Sequence, residues 1–226
     1  MFLPASSTDD GTRRAARDWV SARWEAAGFR VTVAEGAGAW SKGAAVNPTV
    51  AASDAELVIV ADADSWVTLE ATEKACEQAE SHGWGMPHST VKRLSRAGTV
   101  AVYAGEVDIS KARMERSPYP ALPGGGILMV RRDVWDTIGG FDPRFVGWGG
   151  EDHAVGLALA TLSGPVSRRR VAPLWHLWHQ PSPNNRRPSP ESRRLDERYR
   201  KARNNPQAMR ELVKEVRGGV ADVPSA

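Results

Sequence analysis

Glu56–Ala61 (ELVIVA) is an almost unbroken apolar run, and it ends directly on Asp62–Ala63–Asp64. It is too short for a helix apolar on every side, and its valines and isoleucine favour extended chain. A strand apolar on both faces must be covered on both. That places it inside a parallel sheet flanked by helices. Phe2–Pro4, Arg30–Ala34, Trp84–Met86 and Gly126–Arg131 supply further short strands. Helical spacing or composition fills the intervals at Arg13–Ala27, Gly43–Ala52, Leu69–His82 and Ser95–Gly105, then at Asp133–Ile138 and His153–Leu162. Val166–Trp178 reads as a strand pair or irregular extended segment. Alternating strands and helices predict an α/β fold with a mostly parallel central sheet.

The chain's 226 residues suffice for one substantial domain and a small appendage. We place the domain at residues 1–185 and a basic helical C-terminal extension at 186–226. Between Arg186 and Arg217 stand eleven Lys or Arg against five Asp or Glu, although the whole chain carries a formal net charge of only +3. Gln180–Arg194, rich in Pro, Ser, Asn and Arg, reads as a mobile loop, followed by charged helices near Pro190–Arg203 and Pro206–Val216. A single cysteine, Cys76, excludes an internal disulfide. No stretch approaches the ~20 apolar residues of a membrane span, and a cytoplasmic location is expected.

Three clusters carry chemistry. On an extended segment, Asp62 and Asp64 project to one side at the carboxyl edge of a buried strand, where open α/β sheets bind ligands. Their mutual repulsion calls for a positive neighbour, and a hard divalent cation with phosphate oxygens meets that need. A helix cap in a solvated loop is the plainer reading. Pro123–His153 is rich in glycines that admit a ligand to the backbone, and it ends in Gly147–Trp148–Gly149–Gly150–Glu151–Asp152. Glu151 and Asp152, adjacent on a helix, point about 100° apart and can serve different partners. As first-turn acids they would also simply favour the helix dipole. Lastly, Trp175–His176–Leu177–Trp178–His179 offers two imidazoles, either core histidines or metal ligands. Three apart on a regular strand they would face opposite ways, so a shared metal requires a turn there. Of the nine tryptophans, Trp148 alone leaves a sugar-stacking surface as open as a core edge; the rest read as core.

Gly139–Gly140–Phe141–Asp142, then Phe145, then Gly147–Asp152, with Asp62–Ala63–Asp64 upstream and a histidine downstream, resemble the signature of β-1,4-galactosyltransferases. Polypeptide N-acetylgalactosaminyltransferases and bacterial chondroitin synthases share it. The resemblance covers roughly residues 1–185 and implies the GT-A (nucleotide-diphospho-sugar transferase) fold. It further implies transfer of a hexose or N-acetylhexosamine from a UDP-sugar to an acceptor hydroxyl, with inversion. Pro4 and the loop after it, Glu35 and Lys42 are similar to uracil, ribose and phosphate contacts. Asp62 resembles the ribose-facing aspartate, and Asp64 the ligand of Mn2+ (or Mg2+). His179 resembles the metal histidine, and His176 a second, variable ligand. Trp148, with Gly149 and Gly150, resembles the donor-binding turn; Asp152 resembles the catalytic base and Glu151 a sugar-hydroxyl partner. The acceptor stays open among glycan, protein, lipid and modified DNA. A nucleic-acid-binding protein using the basic tail is the non-enzymatic alternative.

Overall fold

Strand β1 (Phe2–Ser6) is buried along nearly its whole length, because neighbours lie on both of its edges. The computed structural model describes all residues except 8, 37, 167–171, 182–186 and 219–226. After β1 come α1 (Gly11–Ala26), β2 (Thr32–Gly36), α2 (Lys42–Ala51), β3 (Leu57–Ala61) and a two-residue β4 (Ser65–Trp66). Helix α3 (Leu69–His82), β5 (Trp84–Gly85), β6 (His88–Arg93), α4 (Arg96–Tyr103) and β7 (Tyr119–Pro120) follow. The signature half holds β8 (Ile127–Arg131), α5 (Arg132–Ile138), α6 (Glu151–Ser163) and β9 (Ala172–His176). Helices α7 (Pro190–Ala202) and α8 (Pro206–Gly218) close the described chain.

The main sheet has the order β2-β1-β3-β8-β5. Alternate residues of its strands feed two cores. Phe2, Val58, Val60, Leu128 and Val130 face one, with α2, α6, α7 and α8. Leu3, Ile59, Ala61, Ile127 and Met129 face the other, with α1 and α3. Both faces of β3 are therefore covered, which is why its sequence is apolar throughout. Each fully buried Leu, Ile or Phe contributes roughly 1.5–3 kcal/mol.

Four of the five strands share one direction, as expected of a mostly parallel sheet, and β8 alone runs against them, antiparallel to both β3 and β5. An apolar run carries no information about strand direction. A smaller sheet, β4-β9-β6-β7, was not foreseen. Its strand β6 (HSTVKR) is mostly half-buried and polar, without the apolar run that marks β3 and β8.

Helices α7 and α8 pack into the first core through Leu195, Tyr199, Met209 and Leu212. The foreseen loop Gln180–Arg194 gives way to α7 at Pro190, with Ser189 as its cap; residues 182–186 of that loop lie outside the described chain. No helix among the described residues is long and apolar enough to cross a membrane.

Candidate active site

The aspartates after β3 do not share one partner. Asp62 continues the sheet, its N–H donating to the Gly126 carbonyl at 2.8 Å, and the chain then turns as the Ser65 N–H donates to the Asp62 carbonyl at 3.0 Å. The turn breaks the extended geometry and sends the two carboxylates to different places. The cation beside Asp62 is Lys42, whose Nζ donates to Asp62 Oδ1 at 2.7 Å and to Asp152 Oδ1 at 2.8 Å. Lys42 thus joins residues 20 and 110 positions away and is only 6% exposed. Burial alone would lower its pKa, but Asp152 and Asp62 more than reverse that and hold the ammonium charged. Lys42, expected as a phosphate contact, makes this bridge between Asp62 and Asp152.

Lys42 sits there because the glycine-rich signature clamps its helix. Ser41 caps α2 by accepting from the Ala44 N–H, and its own hydroxyl donates to the Pro143 carbonyl at 3.0 Å. Asn47 donates to the Phe141 carbonyl at 2.7 Å and accepts from the Phe141 N–H at 3.1 Å. A Cβ on Gly43 would lie 2.6 Å from the Phe141 oxygen, so only glycine allows this approach. Asp142, buried beside the clamp, accepts from Arg144 at 2.7 Å and from the Tyr199 hydroxyl at 3.0 Å. The signature therefore builds the site from below before any of its residues touches a ligand.

Asp64 points to the histidines. His179 Nε2 lies 3.1 Å from its Oδ2, and His176 Nε2 3.7 Å from its Oδ1. Strand β9 ends at His176, and the irregular chain after it lets both rings reach one carboxylate, 5.2 Å apart between centroids. The Leu177 N–H donates to the Asp64 carbonyl at 2.8 Å, tying the two segments together. Each ring's Nδ1 donates to a backbone carbonyl, His176 to Leu177 at 2.8 Å and His179 to Gln180 at 3.1 Å. Both Nε2 atoms are thereby turned inward. One ligand atom from each of Asp64, His176 and His179 falls within 4.8 Å of the others. Something positive, a proton or a metal ion, has to lie between His179 and Asp64 at their separation.

Helix α6 starts at Glu151, two residues earlier than its apolar pattern suggested, with Gly150 as its cap. Burial, then the neighbouring Asp152 charge, pushes the Glu151 carboxyl up to about 7. Its Oε2 is buried with no hydrogen-bond partner. Trp148 is 54% exposed and lines an open pocket of about 300 Å³ with Glu151, Asp152, Leu122, Arg193 and Arg200. The last two come from α7. Gly149 and Gly150 shape the turn: Gly150 has φ +105°, and a Cβ there would stand 2.5 Å from the buried Phe145 ring. Gly150→Ala is expected to cost about 2–4 kcal/mol, from left-handed strain plus overpacking, read as a lowered urea midpoint.

Pro4 is buried inside β1, and Glu35 stands exposed at the end of β2, 3.9 Å from Arg17. No hydrogen bond or ion pair among the described residues joins either of them to the carboxylates. Of the tail's cations, Arg194, Arg198, Arg200 and Lys201 pair with Glu191, Glu215, Asp196 and Glu197. That leaves less free charge for nucleic acid than the sequence count suggested. Arg186 lies outside the described residues. Sequence reasoning missed Arg93, whose Nη2 lies 2.9 Å from His176 Nε2, and the α7 residues of the pocket. Only the pairing of β6 with β9 and the packing of α7 on α6 bring them in, and neither leaves a local sequence signal.

Residues 107–179 match a family model described as the N-terminal domain of galactosyltransferase. Among solved structures the chain is similar to the catalytic domain of Drosophila β1,4-galactosyltransferase 7 in complex with xylobiose. The TM-score is 0.51 at 13% identity, over 87% of this chain and 79% of that one. A mannosyltransferase from Pyrobaculum calidifontis in complex with GDP-Man and Mn2+ gives 0.45 at 17% identity, over 100% and 66%. Glucosyl-3-phosphoglycerate synthase from Mycobacterium tuberculosis gives 0.38 at 17%, over 100% and 80%. No curated protein matches. The chain has the GT-A glycosyltransferase fold and, over the matched stretch, resembles the β-1,4-galactosyltransferase group.

Proposed function

We propose that the chain is a metal-dependent glycosyltransferase that moves a hexose or N-acetylhexosamine from a UDP-sugar to an acceptor hydroxyl with inversion. The observation that carries this reading is the convergence of Asp64, His176 and His179 at the carboxyl end of β3, beside a second carboxylate set at Glu151 and Asp152. One carboxylate and two imidazoles form a donor set that suits a first-row divalent cation, and Mn2+ is the ion the reading names. Bound there, it would offset the negative charge developing on a departing diphosphate.

The rest is work for this chain's own groups. Asp152 accepts the proton of the acceptor hydroxyl as that oxygen attacks the anomeric carbon. Lys42 fixes one oxygen of Asp152 and orients the carboxylate. Glu151, with its partnerless buried oxygen, supports a hydroxyl of the transferred sugar. The exposed indole of Trp148 gives a sugar ring a flat surface beside both carboxylates. The galactosyltransferase match over residues 107–179 favours galactose first among hexoses.

The test is UDP release from UDP-galactose, UDP-glucose and their N-acetyl forms, with and without Mn2+, alongside Mn2+-dependent UDP binding. Release from one donor, with binding lost in Asp64→Ala, is expected. No release from any donor and no metal-dependent UDP binding would return Asp64 and the histidines to a structural role.

A further inference from the structure

Arg93 occupies the place where His176 would meet a metal. Its Nη2 donates to His176 Nε2 at 2.9 Å, while the other ring nitrogen is committed to the Leu177 carbonyl. An imidazole nitrogen has one in-plane lone pair, so His176 cannot both accept from Arg93 and bind a cation. The contact is fixed by the fold. Arg93 pairs with His176 in the β6–β9 ladder, the Leu94 N–H donates to the His176 carbonyl at 2.9 Å, and the Glu115 N–H donates to the Arg93 carbonyl at 2.9 Å.

The guanidinium is otherwise underused. No carboxylate lies within ion-pair distance of it among the described residues, and its Nε is buried without a partner. A cation arriving at His176 would repel it unless an anion arrived too. Lys42, the obvious phosphate cation from sequence, is held by Asp62 and Asp152. We propose that Arg93 is a diphosphate-binding residue of the donor site, held on His176 in the resting chain and released onto phosphate oxygens when metal and nucleotide bind together. The planar fork suits two phosphate oxygens, and Nε would then gain the acceptor it lacks. The inference rests on the donor reading above. It also makes metal and nucleoside diphosphate binding mutually reinforcing, because each removes an obstacle to the other.

Calorimetry with Mn2+ alone, and with UDP at saturating Mn2+, tests it in the wild type, Arg93→Met, Arg93→Gln and Arg93→Lys. Arg93→Met and Arg93→Gln are expected to bind Mn2+ alone a few-fold more tightly, because His176 is freed. They should bind UDP on the order of tenfold more weakly, having lost a charge-assisted hydrogen bond. UDP affinity within twofold of wild type in both would overturn the proposal, whichever way Mn2+ moves. If neither melts cooperatively, Arg93→Lys decides: a loss of threefold or more for UDP upholds the role, and no loss overturns it. A wild type that binds no UDP with Mn2+ would remove the donor reading itself, and this inference with it.

Discussion

Lys42→Met is expected to destabilise the fold by about 2–4 kcal/mol, seen as a lower urea midpoint with an unchanged m-value. Removing one partner of a buried ion pair leaves the other charge without compensation, at about 3–5 kcal/mol when the site is fully dry. Here the carboxylates are 31% exposed at Asp62 and 26% at Asp152, so water recovers part of that. Methionine keeps the apolar stem and isolates the charge. The deficit also carries a pH signature. Glu151 already titrates at about 7 in the fold against an ordinary 4.5, and Lys42 is one of the influences holding it down. A carboxyl raised by folding loses stability as pH climbs from its unfolded toward its folded value. Without Lys42 the folded value rises further, so the variant's deficit grows as pH climbs above about 7. Lys74, paired with Glu70 but 63% exposed, is the control, and its methionine variant stays within about 0.5 kcal/mol of wild type. A Lys42→Met chain as stable as wild type at pH 8 would show that the bridge is dispensable.

The sequence was most legible where burial is continuous. Strand β3 and helix α3 were readable because an apolar run and an Ala/Glu-rich stretch are local signals. The histidine pair was readable as a possible ligand set, and the requirement for a turn after β9 followed from strand geometry alone. Lys42 was noticed, but its bridge between Asp62 and Asp152 was not legible. Its role depends on α2 being clamped by Phe141 and Pro143, a contact spanning about a hundred residues that no window along the chain contains. Arg93 lay in a strand too polar to be recognised, so its approach to His176 was invisible. The tail misled in another way. Its charge count was correct, but counting cannot show that Arg194, Arg198, Arg200 and Lys201 each find a carboxylate, or that Tyr199 reaches Asp142.

Asp152→Asn is expected to lower the rate of UDP release into water by about 10²- to 10⁴-fold, the range for loss of a general base. Water is the acceptor that needs no prior identification, and it too must lose a proton as it attacks. The substitution is close to isosteric, and an amide oxygen still accepts from Lys42, so the fold should hold. Asp152 Oδ1 is taken by Lys42, and no hydrogen bond among the described residues reaches Oδ2. That oxygen faces the side left open by Gly125, where an added Cβ would stand 3.2 Å away. It is the atom positioned to take the proton. Mn2+-dependent UDP binding should stay within about twofold of wild type, because Asp152 is not among the residues gathered around Asp64. Asp64→Ala should show the reverse, losing binding and, with it, release. The two variants therefore separate holding the donor from activating the nucleophile. If Asp152→Asn releases UDP within threefold of wild type while Glu151→Gln does not, the base is Glu151 and Asp152 is only the anchor for Lys42. If neither variant slows release, proton removal lies outside this helix start, and inversion by a base at α6 falls with it.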